Sequence, residues 1–116
     1  MSRDEAALLD ILNAAQAAQR FVAGMSQTQF LGDEKTQSAE LHQLLVLGEA
    51  AKRVSATFRA SHPAIPWRLI TGMRDNLINE HDEVELGTVW DTVARDLPSL
   101  LAAVCEPLVP PHRPSS

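Results

Sequence analysis

The sequence is short of several things at once. Tyrosine is absent, and aromatic residues of every kind make up only 4% of its 116 residues. Leu, Ile, Val and Ala must therefore fill any core. The single cysteine, Cys105, excludes an internal disulfide and suits a reducing compartment; it reads as a small hydrophobe on the last helix. No apolar run approaches the ~20 residues that span a bilayer, and no basic-then-apolar leader opens the chain. A cytoplasmic protein with no membrane association is the expectation. There is no Gly-rich phosphate loop, no cysteine pair and no His-x-x-x-His, so neither a metal nor another cofactor is expected. Excess positive charge is also missing. The net charge is −5 and the pI near 5.2, so any contact with nucleic acid would need a local basic patch.

What is present is helical periodicity. Hydrophobic residues make up 45% of the chain, enough for one domain with a real core. Leu8, Ile11, Leu12, Ala15, Ala18 and Val22 form one stripe, and Gly24 is placed to end that helix. Ser26 stands three residues before Gln29, the spacing of a capping box. A second long helix is predicted from about Lys35 to Ala60, with Leu41, Leu44, Leu45, Gly48, Ala51, Val54, Ser55 and Phe58 inside. Pro63 and Pro66 break the pattern, and Pro66 suits a first helical turn. A third helix then carries Trp67, Ile70, Met73, Leu77 and Ile78. Asp82 and Glu85 offer a second capping-box spacing. The fourth stripe is Leu86, Val89, Trp90, Val93, Leu97, Leu100, Leu101 and Val104, with Pro98 inside it as a kink or restart. From Glu106 onward proline and serine dominate, which reads as a disordered tail. No stretch alternates as a strand does. The expectation is an all-α antiparallel bundle of four main helices over residues 1–105, with a tail at 106–116.

Four histidines are present. His112 falls in the tail, His42 lies off the apolar stripe, and His62 sits where it would bond the last carbonyls of a helix. His81 differs in its company. Arg74 and His81 are seven residues apart, two helical turns, so they share a face if the helix reaches that far. Arginine clamps a phosphate with two parallel bonds, and histidine moves a proton near neutral pH. Those are the two parts that metal-free RNA cleavage needs: a group that takes or supplies a proton, and a cation for the charge gathering on phosphorus. By spacing alone a solvated helix face explains the pair as well. The arginine side chain leans toward its helix N-terminus, away from His81, so a converging site needs a second copy of the chain.

Three blocks, "DEKTQSAELHQLLVLGEAAKRVS", "HPAIPWRLITGMRDNLI" and "DEVELGTVWDTVARDLPSLL", resemble in that order the HEPN-domain proteins paired with minimal nucleotidyltransferases, the HepT-like toxins. The resemblance covers about residues 3–104. It implies a homodimeric HEPN-like helical protein that cuts RNA where the motifs of two protomers meet. It also implies a nucleotidyltransferase antitoxin that silences many members by adding AMP to a tyrosine. The family signature is an arginine, a polar residue, three further positions, a histidine, and a tyrosine two beyond. Carried over, the arginine is Arg74 and the polar residue Asp75. Asn79 stands at the usual histidine position and His81 at the usual tyrosine position. Asn79 has no acid–base function near neutral pH. The looser family pattern allows four to six residues between arginine and histidine, and here there are six.

The resemblance therefore implies a ribonuclease toxin in which Arg74 holds the scissile phosphate and His81 moves the proton. Asp75 and Asn79 would orient them, and Glu49 would stand behind the motif. Lys52, Arg53 and Arg68 are candidates for a basic rim against RNA, and equally for plain surface. The rival reading is an inactive HEPN subunit that docks a nucleotidyltransferase, favoured by Asn79; a plain helical interaction domain is a third. With no tyrosine in the chain, AMP transfer to tyrosine is excluded by composition.

Overall fold

The computed structural model describes the backbone of residues 2–77 and 85–108, and the side chains of residues 2–72 and 85–108. The described residues form only helices and their connections, as the all-α expectation requires. The helices are α1 (Arg3–Phe21), α2 (Gln27–Leu31), α3 (Glu34–Lys52), α4 (Ala56–Ser61), α5 (Trp67–Leu77), α6 (Leu86–Asp91) and α7 (Leu97–Leu108), with a π-helical turn at Thr92–Asp96 joining the last two.

Local chemistry fixes the starts of the first three. Ser2 Oγ accepts from Glu5 N–H (3.0 Å) while the Glu5 carboxylate accepts from Ser2 N–H (2.9 Å), a reciprocal cap. Those same bonds hold the Glu5 carboxyl below its ordinary range. Gly24, at φ +77°, makes the left-handed turn after α1 that side-chain-bearing residues resist. The capping box expected at Ser26 and Gln29 is present, with bonds of 3.1 and 2.8 Å. Asp33 caps α3 through both carboxylate oxygens, which accept from Thr36 N–H and Thr36 Oγ1–H.

The second long helix is shorter than its pattern suggests. α3 ends at Lys52, and Ser55 begins α4 by accepting from Phe58 N–H at 3.1 Å. The cause is remote in sequence. Asp4 accepts from both the backbone N–H and the hydroxyl of Ser55, each at 2.8 Å. That pins Ser55 in an extended conformation (ψ 154°) and sets the Asp4 carboxyl below its usual range. The tie also places the start of α1 against the end of α3, so the two helices run antiparallel. The Arg53–Asp10 ion pair (2.6 Å) agrees.

The core is aliphatic, as the scarcity of aromatics demands. Leu8, Ile11, Ala14, Ala15 and Ala18 of α1 meet Leu44, Leu47, Ala50 and Ala51 of α3, with Ile70, Val89, Val93, Leu97, Leu100 and Val104 closing the cluster. The inner face of α3 is turned from the expected one. Leu41 and Leu45 are only half-buried, whereas Glu40, Leu47 and Ala50 are inside. The helix packs on both α1 and α5, so its buried stripe is wide.

α6 begins after Glu85, which makes no side-chain cap bond. The cap expected at Asp82 lies outside the described residues. Pro98 acts as anticipated, with a specific mechanism. Proline has no N–H, so the carbonyl of Ala94 loses its normal partner. The chain adapts by widening one turn: Leu97 N–H donates to Thr92 O, five residues back. α7 continues to Leu108 and carries Glu106 and Pro107 with it. No described helix is long and apolar enough to cross a membrane.

Candidate functional site

The site residues drawn from the sequence centre on α5, so what positions that helix matters most. Its N-terminal end is held tightly. Trp67 Nε1–H donates to His62 O at 3.0 Å. His62 Nδ1 lies 3.1 Å from Phe58 O, the helix-end role expected for it, and its ring stacks on Phe58 at 4.1 Å. Arg59 reaches back to donate to Ala51 O at 2.8 Å, with its guanidinium 6.0 Å from the centre of the Trp67 ring. These contacts fix the start of α5 beside the end of α3.

From that anchor α5 runs back along α3. At ~1.5 Å per residue, the ten steps from Trp67 to Leu77 retrace about ten residues of α3 from Ala51. The last described turn of α5 carries Arg74 and Asp75. Asn79 and His81 lie outside the described residues.

The other candidates are placed plainly. Glu49 is on the exposed side of α3, with Lys52 Nζ 3.9 Å away and both side chains about half accessible (50% and 47%). Lys52 is thus beside a carboxylate, and Arg53 is paired with Asp10. Arg68 is exposed on α5. The three do not form a cluster of free cations, since two have acidic neighbours at short range. His42 is exposed and Cys105 half-buried on α7. Among the described residues no group of three or more His, Cys, Asp or Glu is arranged to hold a metal.

The residue that sequence reasoning missed is Glu40. It is 0% exposed, and neither carboxylate oxygen has a hydrogen-bond partner. Burial alone drives its pKa up from 4.5 to about 8, because the low-dielectric interior penalises the charged form. At neutral pH the group is an uncharged acid. The sequence did contain the signal: Glu40 lies four residues before Leu44 and seven before Leu47, on one helical face.

Known proteins give this geometry a context. The family model described as Ribonuclease HepT-like matches residues 11–106. A protein of Thermococcus cleftensis named as a probable ribonuclease HepT is 40% identical over 93 residues, covering 80% of this chain and 84% of that protein. A protein of Caldanaerobacter subterraneus named as a candidate RNase is 37% identical over 85 residues, 73% of this chain and 76% of its own length. A Methanocaldococcus jannaschii protein, also named as a candidate RNase, is 32% identical over 96 residues, 83% of each chain. No solved structure matches. With nearly its whole helical body inside the match, the chain belongs to the Ribonuclease HepT-like family.

Proposed function

We propose that the protein is a metal-independent endoribonuclease toxin, working in the cytoplasm as a homodimer and neutralised by a nucleotidyltransferase antitoxin. The observation that carries this reading is Arg74 in the last turn of α5, at the arginine position of the motif, in a chain of a ribonuclease family. Its guanidinium would grip the scissile phosphate through two parallel bonds and offset the charge that grows there as the 2′-oxygen attacks. His81, whose imidazole has a reference pKa of about 6.5, would take the 2′-hydroxyl proton or give one to the departing 5′-oxygen. Asp75 and Asn79 would orient the pair or bond the RNA backbone. Two protomers would face each other with the ends of α5 across a cleft, each completing the other's site. Tyrosine being absent, the antitoxin would act mainly by binding.

A second reading has a specific observation in its favour: Asn79 stands where the family motif has histidine. On that reading the protein is an inactive subunit that docks the nucleotidyltransferase.

The test is cleavage of RNA in chelator by the purified protein, freed of any nucleotidyltransferase. Wild type should cut. Arg74→Ala and His81→Ala should each lose about a hundredfold to ten-thousandfold in rate, Asn79→Ala should lose less, and Asn79→His should gain. Cleavage by His81→Ala at the wild-type rate would remove His81 from the site. An inert wild type that still binds the nucleotidyltransferase would establish the second reading.

A further inference from the structure

A protein that acts on RNA needs a surface that holds the strand, and most cations on the described surface are already engaged. Arg53 is paired with Asp10, Lys52 lies beside Glu49, Arg95 lies 3.7 Å from Asp91, and Arg59 donates to Ala51 O. Among the described side chains, Arg3, Arg20, Lys35 and Arg68 remain without an ion pair.

The aromatic side chains sort as sharply. Phe30 is fully buried, Trp90 packs on it, and Phe58 and Trp67 are held in the corner with His62 and Arg59. Phe21, the last residue of α1, is the one exposed ring, at 40%. A single exposed apolar residue is ordinary; what distinguishes Phe21 is its company. It lines a cleft of about 260 Å³ with Lys35, Thr36 and Ala39 from the first two turns of α3. Arg20, the residue before it, is exposed and lines a neighbouring hollow with Gln16 and Gln19. Two of the unpaired cations thus accompany the exposed ring, one beside it in sequence and one in its cleft. Asp33 does not neutralise Lys35. Both Asp33 oxygens accept from Thr36, and those bonds hold its carboxyl below the ordinary range, with Lys35 the smallest of the causes.

We propose that the cleft at Phe21 is a binding site for single-stranded RNA, in which an unpaired base stacks on the Phe21 ring while Lys35 and Arg20 take the neighbouring phosphates. The site rests on the ribonuclease reading above and supplies its hold on the strand. The chemistry selects a single strand. A base inside a duplex has both faces covered, whereas an unpaired base offers a face to an aromatic ring. The flanking phosphates need cations not already neutralised by the protein, and in a chain of net charge −5 those cations must be local. Ring and lysine stand on two helices that pack directly on each other, so the cleft exists before the strand arrives.

Fluorescence anisotropy of a short, labelled 2′-O-methyl oligoadenylate, titrated with the full-length protein at several salt concentrations, tests the site. The blocked 2′-oxygen prevents cleavage, so binding is read whether or not the protein cuts RNA. Wild type should bind the single strand. Phe21→Ala should weaken binding about tenfold and leave its salt dependence unchanged. Phe21→Leu, which keeps an apolar side chain for packing, should weaken it as much, and Phe21→Trp should restore it. Arg20→Gln combined with Lys35→Gln should reduce the slope of log affinity against log salt by about 1.4, at ~0.7 per phosphate on a single strand. The same oligonucleotide annealed to its complement should bind independently of Phe21. Wild-type affinity in Phe21→Leu overturns the proposal, as does an unchanged salt slope in the double variant, an equal loss on the duplex, or no binding by wild type. A wild type that binds the blocked strand with these dependences but cuts no RNA upholds the site and removes the ribonuclease reading, so the two failures are distinguishable.

Discussion

Phe30 is the residue whose removal tests the packing logic most sharply. α2 has five residues, and Phe30 is the only one of them buried, at 0% exposure. So short a helix has no stability of its own and depends on that ring. The ring lies 5.5 Å from the ring of Trp90 on α6, tilted by 40°, which ties α2 to the helix that follows the motif region. Phe30→Ala removes a buried aromatic, a loss of about 3–5 kcal/mol. A pair of this geometry supplies about 0.5–1.5 kcal/mol beyond burial, so Phe30→Leu, which keeps most of the volume, should cost roughly 1–2 kcal/mol. Against a total of about 5–15 kcal/mol for such domains, the alanine variant should melt about 12–40 °C lower at the usual ~4–8 °C per kcal/mol. Thermal unfolding followed by tryptophan fluorescence is the assay, because Trp90 is one of only two tryptophans. An alanine variant that melts within about 2 °C of wild type would refute the claim that this ring anchors α2.

Two further outcomes follow from the core and from α7. The folded protein binds the Glu40 proton more tightly than the unfolded chain, so stability is whole below about pH 4.5 and is lost as pH rises to about 8; at ~1.4 kcal/mol per pH unit, the loss is on the order of 5 kcal/mol. Glu40→Leu should remove that slope in urea melts from pH 4 to pH 9 and be the more stable protein at pH 7, whereas a variant with the wild-type slope would contradict the assignment. Pro98→Ala restores an N–H for the carbonyl of Ala94 and should let the π turn at Thr92–Asp96 revert to α-helix, raising stability by about 1–3 kcal/mol; a lower melting temperature would show that the wide turn itself packs better.

Much of this fold was legible in the sequence because its signals are local. The Ser26–Gln29 cap, the start of α5 behind Pro66 and the disturbance before Pro98 each depend on residues within five positions. What was not legible depends on distant partners. The apolar pattern of α3 runs on past Lys52, and only the Asp4 carboxylate, 51 residues from Ser55, explains why the helix stops. Glu40 lies on the apolar face with Leu44 and Leu47, but a carboxylate reads as solvent-facing until the fold shows it buried. Glu49 entered through the family resemblance alone; its side chain is half accessible, beside Lys52. For the site, the sequence supplied Arg74, and the contacts of Trp67, Arg59 and His62 supply what no local pattern holds, the direction in which α5 carries it.

The clasp between Asp4 and Ser55 also orders events in time. Closing a loop of 51 residues carries a length-dependent entropic cost of about 3.5 kcal/mol, which two solvent-exposed hydrogen bonds to a carboxylate at best balance. The aliphatic seam between α1 and α3 must therefore form before the clasp can hold. α4, with six residues and none of them buried, cannot persist until that has happened. The corner that aims α5 is thus completed late in folding, after the first helical hairpin, and substitutions at Asp4 should speed unfolding while leaving the folding rate nearly unchanged.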